Sequence, residues 1–529
     1  MATYASRPAW DVRARARALT HARLAVPAGL GLLCALSLLL RVGELGIGFW
    51  IDEGLSVGIS DRPLSDIPSA LRQDGSPPLY YMLLHFWIRA FGRGEAQVRA
   101  FSLLCAIALV PLAWWAGRAL FGPRTGWMAA VIAALDPFLT QYAQEARMYA
   151  LAAVLTLLAT TCFARAYALD APSQRARRPW LAGFSVSVAV ALYTHNWALF
   201  FTAACAAAWL VLYVLAVPAR RRELVREGLL GFGGALVLYL PWIPTTLYQA
   251  AHTGAPWAAR PSLSALAGVP GALLGTVPQV VLLLAAGSGL LALLAPAGRR
   301  LSQQGRAVVA LAVIAVVTVV LAWLSSQLSP AWAQRYLAIA LPPFLLLSAA
   351  GLARAGRLGL VGLALVAVMW IGDRPPAQKS NVRTISELVS PSLAPGDLIV
   401  STQPETTPLL RYYFGPEYRY ATLTGKLADT GVWDWRDGVT RLNATSPQRD
   451  LAPLVDGLRV GQRLVLVEPI TWLLKSWQAP WTELVRIRSL EWRQWLSNDP
   501  RLRTTAIQPV EFTPPQPNPV RATVMVRTR

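Results

Sequence analysis

The sequence has few of the residues that build metal centres and disulfide-stapled domains. Of its 529 residues, 28 are Asp or Glu, four are His, and the four cysteines lie in apolar runs without metal-ligand spacing: Cys34, Cys105, Cys162 and Cys205. There is also no Gly-rich phosphate loop, no His-Glu-x-x-His motif and no internal repeat. These absences exclude a zinc ribbon, a disulfide framework and a solenoid, and they leave no motif for binding a nucleotide phosphate.

Hydrophobic residues are abundant instead. They make up 55% of the chain, the mean hydropathy is +0.42, and apolar runs near the length of a bilayer crossing recur through the first 370 residues. This pattern predicts a polytopic membrane protein with about 11 transmembrane helices, near residues 24–42, 98–117, 125–140, 147–168, 180–197, 198–217, 228–247, 274–295, 306–326, 334–353 and 357–372. The shorter run Leu79–Phe91 is rich in aromatics and is predicted as an interfacial or re-entrant helix.

The net charge of +21 comes from arginines clustered in short loops between the apolar runs. The positive-inside rule accounts for such loops, so we expect no nucleic-acid partner. Arginines before the first span predict a cytoplasmic N-terminus, and that span is interpreted as an anchor that is retained. We therefore expect a multi-pass protein of a bacterial plasma membrane.

Composition divides the chain into three parts. A basic N-terminal arm occupies residues 1–23, a transmembrane domain occupies 24–372 with a first outer loop at 43–97, and residues 373–529 have ordinary polar content. Short apolar runs at Leu398–Val400 and Arg463–Val467 alternate there with helical patterns at Val382–Val389 and Trp481–Trp495, which predicts an α/β domain. With 11 crossings this C-terminal domain is extracytoplasmic.

Three polar segments are predicted at the outer membrane surface. They hold the acidic pair Asp52 and Glu53, then Glu145 with Arg147, then Arg335. Charged residues are costly at a membrane surface unless they serve a function. Guanidinium groups suit the phosphate of a lipid carrier, and a carboxylate suits removal of a proton from an attacking hydroxyl. The set favours transfer of a sugar from a polyprenyl phosphate, with inversion if one base acts alone.

Four motifs in this order resemble the GT-C membrane glycosyltransferases, especially the group of protein O-mannosyltransferases and lipid A aminoarabinose transferases: Trp50-Ile51-Asp52-Glu53-Gly54, Ser76-Pro77-Pro78-Leu79-Tyr80-Tyr81, Gln144-Glu145-Ala146-Arg147-Met148-Tyr149 and Gln334-Arg335-Tyr336. The resemblance implies a GT-C fold with an outer domain. It implies that Asp52 is the catalytic base and that Glu53 helps to position the site. Many relatives have His or Lys before the paired prolines, where this chain has Ser76.

The resemblance also implies a set of substrate-binding residues. Glu145 and Arg147 match its second motif, and Arg335 matches an arginine near the carrier phosphate, while Tyr80 and His195 complete the predicted contacts. Plainer interpretations stay open for each residue. Asp52 and Glu53 could be solvated acids or a helix cap, Glu145 and Arg147 a structural pair, and Arg335 an anchor in the headgroup layer. His195 could be a structural histidine, and the tryptophans of the outer domain could be packing residues or a sugar-stacking surface.

The expected activity is that of an inverting hexosyl- or pentosyltransferase. Its donor would be a polyprenyl-phosphate sugar, by default mannose or a pentose, and its acceptor a hydroxyl of a protein, a lipid or a polysaccharide. No cofactor is required by the sequence, and a divalent metal ion stays open because branches of this class differ in metal dependence. Two other functions also stay open: a ligase or polymerase of lipid-linked cell-envelope glycans, and a lipid or sugar transporter.

Overall fold

The structure is a computed structural model that describes residues 10–295, 301–372, 379–471, 477–509 and 518–529, with side chains from Ala25 onward. The first nine residues of the predicted N-terminal arm and the predicted domain boundary at 373 lie outside the described residues.

The membrane part consists of helices. Its long apolar runs form helices because a helix satisfies its backbone hydrogen bonds internally, which a lipid environment demands. The helices are α1 Trp10–Arg41, α2 Ile51–Ser60, α3 Ile67–Asp74, α4 Leu79–Phe91, α5 Glu95–Phe121, α6 Pro123–Leu135, α7 Pro137–Ala143, α8 Tyr149–Phe163, α9 Gln174–Leu192, α10 Ala198–Leu215, α11 Pro218–Tyr239, α12 Ile243–His252, α13 Leu263–Ala267, α14 Val269–Leu274, α15 Pro278–Leu294, α16 Gln303–Leu328, α17 Leu341–Arg354 and α18 Arg357–Gly372.

Every predicted span overlaps at least one of these helices, and the spans at 125–140 and 228–247 each extend over two, α6 with α7 and α11 with α12. Among the described residues, 5 helices are long and apolar enough to cross a membrane: Glu95–Phe121, Tyr149–Ala168, Ala198–Leu215, Pro218–His252 and Gln303–Leu328. Shorter apolar helices accompany them at Ala25–Arg41, Pro278–Leu294, Leu341–Arg354 and Arg357–Gly372. The helical multi-pass character is confirmed, and the count of 11 crossings stays a prediction.

The first outer loop folds into three short helices, α2, α3 and α4. The predicted helix at Leu79–Phe91 has these bounds in the structure. It has a buried face that includes Tyr80, Tyr81 and Leu84, while Phe86 and Phe91 are exposed. This two-faced character suits the predicted interfacial position.

The C-terminal residues form an α/β domain around a six-stranded mixed sheet, which confirms the predicted fold class. Its strand order is β3-β2-β1-β4-β6-β5, with β1 parallel to both β2 and β4 and the other pairs antiparallel. The strands are β1 Leu398–Ser401, β2 Arg419–Thr422, β3 Gly425–Lys426, β4 Arg463–Pro469, β5 Leu502–Gln508 and β6 Val520–Arg527, and the helices are α19 Val382–Val389, α20 Thr407–Phe414, α21 Gly438–Asn443, α22 Ala452–Asp456 and α23 Pro480–Ser497.

The outer domain packs directly on the outer loops of the membrane part. The backbone N–H of Trp435 donates to the carbonyl of Gln73 at 2.9 Å, and that of Trp481 donates to the carbonyl of Pro256 at 3.1 Å. A Cβ on Gly54 of α2 would lie 2.7 Å from the Cα of Leu409 on α20, so only glycine permits this helix contact without displacement. The first loop, which carries Asp52 and Glu53, and the C-terminal sheet domain are therefore packed against each other.

Candidate active site

A cavity of about 580 Å³ lies where the first outer loop, the outer ends of several helices and the C-terminal domain meet. Its wall includes four of the seven predicted site residues: Asp52, Arg147, His195 and Arg335. Asp74 also faces it, as do Gln403 and Glu405 of the outer domain. Residues from distant parts of the chain thus line one cavity, and they include both acidic side chains and arginines.

Asp52 and Arg335 form an ion pair on the cavity wall. Arg335 Nη2 lies 3.5 Å from Asp52 Oδ2, and the side chains keep 22% and 19% of their surface exposed. The guanidinium also lies over the rings of Trp257 and Tyr336, at 4.8 and 5.4 Å. Its Nε has no hydrogen-bond partner among the described residues. The faces of the aromatic rings stabilise the cation beside its ion pair with Asp52.

Arg147 supplies a second guanidinium to the same wall. It donates to the hydroxyl oxygens of Tyr81 and Ser56, at 3.0 and 3.3 Å, and lies 3.4 Å from the backbone carbonyl of Asp52. Its Nε has no hydrogen-bond partner in the described part of the chain. Two cations therefore lie on the wall of one cavity, which is an arrangement that stabilises developing negative charge.

Asp74 is a second carboxyl group facing the cavity. It is the last residue of α3, and Gly75 follows in the left-handed region with φ 94°, which turns the chain toward the paired prolines. Burial raises the pKa of Asp74, while the Ser76 hydroxyl and the charge of Arg147 oppose this rise. Its Oδ2 has no hydrogen-bond partner among the described residues.

Glu53 lies outside the cavity wall, in a buried ion pair with Arg99. Arg99 Nε and Nη2 donate to its two carboxylate oxygens at 2.7 and 2.6 Å, and the backbone N–H of Ala146 donates to Oε1 at 2.8 Å. Arg99 also donates to the carbonyls of Leu45, Ile47 and Gly48. Glu53 therefore connects the first loop to α5 and to the second motif, and its predicted role in positioning the site stays a prediction.

Sequence reasoning missed Arg99, although a signal existed. An arginine near the start of a predicted transmembrane span is unfavourable unless a partner neutralises it.

Glu145 pairs with a residue of the C-terminal part of the chain. Lys379 Nζ lies 3.0 Å from Glu145 Oε2 and 5.1 Å from the centre of the Trp50 ring. Glu145 is not among the residues that line the cavity, and its predicted role in substrate binding stays a prediction. Lys379 was missed as well. Its signal was rarity, since the chain has only two other lysines, Lys426 and Lys475.

Tyr80 does not line the cavity either, and its predicted substrate contact stays a prediction. Its side chain is fully buried, with the hydroxyl 3.4 Å from Ser102 Oγ and the ring against Tyr81 and Phe101. Adjacent residues of a helix point about 100° apart, so it is Tyr81 that reaches Arg147.

His195 does line the cavity. Its Nδ1 accepts a hydrogen bond from the Trp197 backbone N–H at 3.0 Å, which leaves the proton of a neutral ring on Nε2. The ring packs edge-on against Tyr336 with 4.7 Å between centres.

The described residues contain no group of three or more His, Cys, Asp or Glu side chains placed to hold a metal ion. Asp52 and Asp74 face the cavity together with two arginines, which is a donor set poorly suited to a cation. No step of the chemistry below is assigned to a metal.

One family model and several solved structures match this chain. Residues 75–248 match the family described as dolichyl-phosphate-mannose-protein mannosyltransferase, a segment that contains Glu145, Arg147 and His195. No curated protein matches by sequence search.

Among solved structures, ArnT from Cupriavidus metallidurans in the apo state is similar at 13% identity and a TM-score of 0.63, covering 95% of this chain and 98% of that chain. The same enzyme bound to undecaprenyl phosphate gives 14% identity and a TM-score of 0.58, with 94% and 98% covered. Archaeal oligosaccharyltransferase AglB from Archaeoglobus fulgidus, in complex with an inhibitory peptide and a dolichol-phosphate, is similar at 10% identity and a TM-score of 0.55. The match covers 84% of this chain and 70% of that chain.

At these identities the likeness to solved structures shows the fold, which is that of the GT-C membrane glycosyltransferases. The family match named above covers residues 75–248, which begin within the first loop and end in α12. The GT-C fold predicted from the four motifs is thereby confirmed.

Proposed function

We propose that this protein transfers a sugar from a polyprenyl monophosphate to an acceptor hydroxyl at the outer face of the membrane, with inversion at the anomeric carbon. The observation that carries the proposal is the pairing of Asp52 with Arg335 on the wall of a cavity at the domain junction. A base and a phosphate-binding cation are the two groups that this reaction requires.

The arginines account for the leaving group. When the anomeric carbon separates from the carrier phosphate, the electron pair of that bond stays on the phosphate oxygen. Arg335 and Arg147 line the cavity, and their guanidinium groups would stabilise the negative charge that develops there. On binding, the phosphate would replace the carboxylate of Asp52 as the partner of Arg335, which releases Asp52 for catalysis.

Asp52 is the carboxylate best placed to act as base. It takes the proton of the acceptor hydroxyl while the oxygen forms its bond to the anomeric carbon. Glu53 and Glu145 are engaged by Arg99 and Lys379, and burial raises the pKa of Asp74, which favours its protonated form. A single displacement with one base gives the product the anomeric configuration opposite to that of the donor.

The identity of the donor sugar is proposed from the similar proteins, because no contact in the cavity specifies it. The family match supports mannose, and a similar structure is the arabinofuranosyltransferase AftD from Mycobacteria, at 16% identity and a TM-score of 0.50, covering 95% of this chain and 40% of that chain. Mannose or a pentose is thus the proposed sugar. The proposed acceptor is a hydroxyl of a protein, a lipid or a cell-envelope polysaccharide.

Replacement of Asp52 by Asn tests the proposal. Asp52→Asn keeps the shape of the side chain and removes its basicity, so turnover should fall by about 100-fold or more while affinity for undecaprenyl phosphate stays nearly unchanged. The matched control is Asp61→Asn, which alters an acid at the other end of α2 that pairs with exposed Arg93 and does not line the cavity.

The measurements are transfer from a radiolabelled polyprenyl-phosphate sugar and the configuration of the product by NMR. A fully active Asp52→Asn protein, or a product that keeps the donor configuration, would remove Asp52 from the mechanism. Robust transfer from a nucleotide sugar without any lipid carrier would overturn the proposed donor class.

A further inference from the structure

The outer domain contributes its own polar groups to the cavity. Gln403 and Glu405 follow β1, whose two neighbours β2 and β4 are both parallel to it. The chain continues from β1 to β2 on one side, and β4 lies on the other side. In open α/β sheets, ligands bind at the carboxyl ends of strands where the direction of winding changes in this way.

Glu405 is a buried carboxyl group held by neutral donors. Its residue is 6% exposed, Trp481 Nε1 donates to its two oxygens at 3.0 and 3.1 Å, and Gln403 Nε2 donates to Oε1 at 3.0 Å. No cation pairs with it among the described residues. Burial raises the pKa of Glu405, and the nearby charge of Asp52 raises it further.

An acid in this position is unfavourable for folding alone, because a buried carboxylate without a counter-ion is costly. The acid also cannot serve the carrier phosphate, since two anions would repel each other. A sugar hydroxyl suits it, because a carboxyl oxygen accepts a hydrogen bond from a hydroxyl and retains lone pairs beyond those used by Trp481 and Gln403. Trp435 lies on the same wall and offers the aromatic surface against which a sugar ring packs.

The packing of α2 on α20 brings Glu405 near the proposed base Asp52. Glu405 lies two residues before α20, and Asp52 lies two residues before Gly54, where α2 and α20 touch. This close helix contact fixes the outer-domain acid opposite the proposed base. A sugar whose anomeric carbon lies beside Asp52 and Arg335 extends from there toward the outer domain.

We infer that Glu405 and Gln403 bind hydroxyl groups of the donor sugar, with Trp435 as the wall of the subsite, so that the outer domain selects the sugar. The inference rests on the proposed function and adds the residues that recognise the sugar. The membrane part then binds the carrier phosphate, and the sheet domain recognises what the carrier holds.

The test separates recognition of the sugar from recognition of the carrier. The probes are undecaprenyl phosphate, undecaprenyl phosphate mannose and undecaprenyl phosphate arabinose, and binding to the purified full-length protein is measured. Glu405→Gln should keep affinity for undecaprenyl phosphate within about two-fold, while affinity for the preferred sugar-carrying lipid falls roughly ten-fold or more. The ratio of kcat/KM between the two sugar donors should also shift.

Glu468→Gln is the matched control. Glu468 is a buried acid in the same domain that pairs with Arg493 and Arg521 and does not line the cavity. It should leave the preference between the two sugars unchanged. If Glu405→Gln fails to fold, Gln403→Ala provides the same comparison.

The inference is overturned if Glu405→Gln loses affinity equally for the lipid with and without sugar, or if it retains full affinity for both. A variant that changes only the KM of the acceptor would also overturn it. If the wild-type protein bound no undecaprenyl phosphate at all, the proposed function itself would fail, and this inference with it.

Discussion

The buried ion pair between Glu53 and Arg99 provides a direct test of which contacts stabilise the first loop. Glu53→Gln removes the negative charge and keeps the size of the side chain. In the structure Arg99 is 2% exposed and binds Glu53 with two short hydrogen bonds, so the substitution leaves a guanidinium buried without its counter-ion.

The expected cost follows from these contacts. Removing one partner of a buried ion pair costs about 3–5 kcal/mol. Arg99 keeps three backbone carbonyl acceptors, which places the expected loss near the lower end, at about 3 kcal/mol. Turnover should fall as well, because Glu53 fixes the helix turn that carries Asp52.

Thermal unfolding followed by tryptophan fluorescence, together with a transfer assay on the folded fraction, measures both effects. Glu227→Gln is the control. Glu227 is equally buried and pairs with Arg177 and Arg220 far from the cavity, so its substitution should destabilise the protein and leave turnover of the folded fraction intact. An inactive Glu53→Gln protein with unchanged thermal stability would refute the reasoning and assign Glu53 to the chemistry.

Three further predictions concern the phosphate contact, the domain contact and the topology. Arg335→Ala should weaken binding of undecaprenyl phosphate by about 1.5–3 kcal/mol. Arg335→Lys should restore only part of this affinity, because lysine keeps the charge but lacks the bidentate fork. Unchanged affinity of Arg335→Ala in a binding assay would make Arg335 an anchor only. Gly54→Ala should lower both the unfolding temperature and turnover, because the added Cβ would clash with Leu409. Gly46→Ala should change neither, because no atom elsewhere in the described part of the chain lies within 4 Å of a Cβ at that position. Equal effects of the two variants would contradict the domain contact. Reporter fusions should read cytoplasmic after Arg222 and extracytoplasmic at the C-terminus, and a cytoplasmic C-terminus would refute the 11-span scheme.

The helices and the outer strands could be predicted because their signals are local. Apolar runs of bilayer length became helices, and the runs at Leu398–Val400 and Arg463–Val467 became parts of β1 and β4. The amphipathic segment Val382–Val389 became α19 with these same bounds. In each case the pattern of burial lies within one short stretch of sequence, so no distant contact is needed to specify it.

The sequence by itself predicted the GT-C fold, since four short motifs at the ends of apolar runs carry that resemblance, and it predicted Asp52, Arg147 and Arg335 as site residues. Only the tertiary structure decided which of two adjacent side chains faces the cavity. Asp52 faces it while Glu53 turns to Arg99, and Tyr81 contacts Arg147 while Tyr80 is buried, because helical neighbours diverge by about 100° and packing selects the direction. Glu405 lies more than 200 residues along the chain from Asp52 and Arg147, and Lys379 lies more than 200 residues from Glu145, so only chain folding brings these residues together.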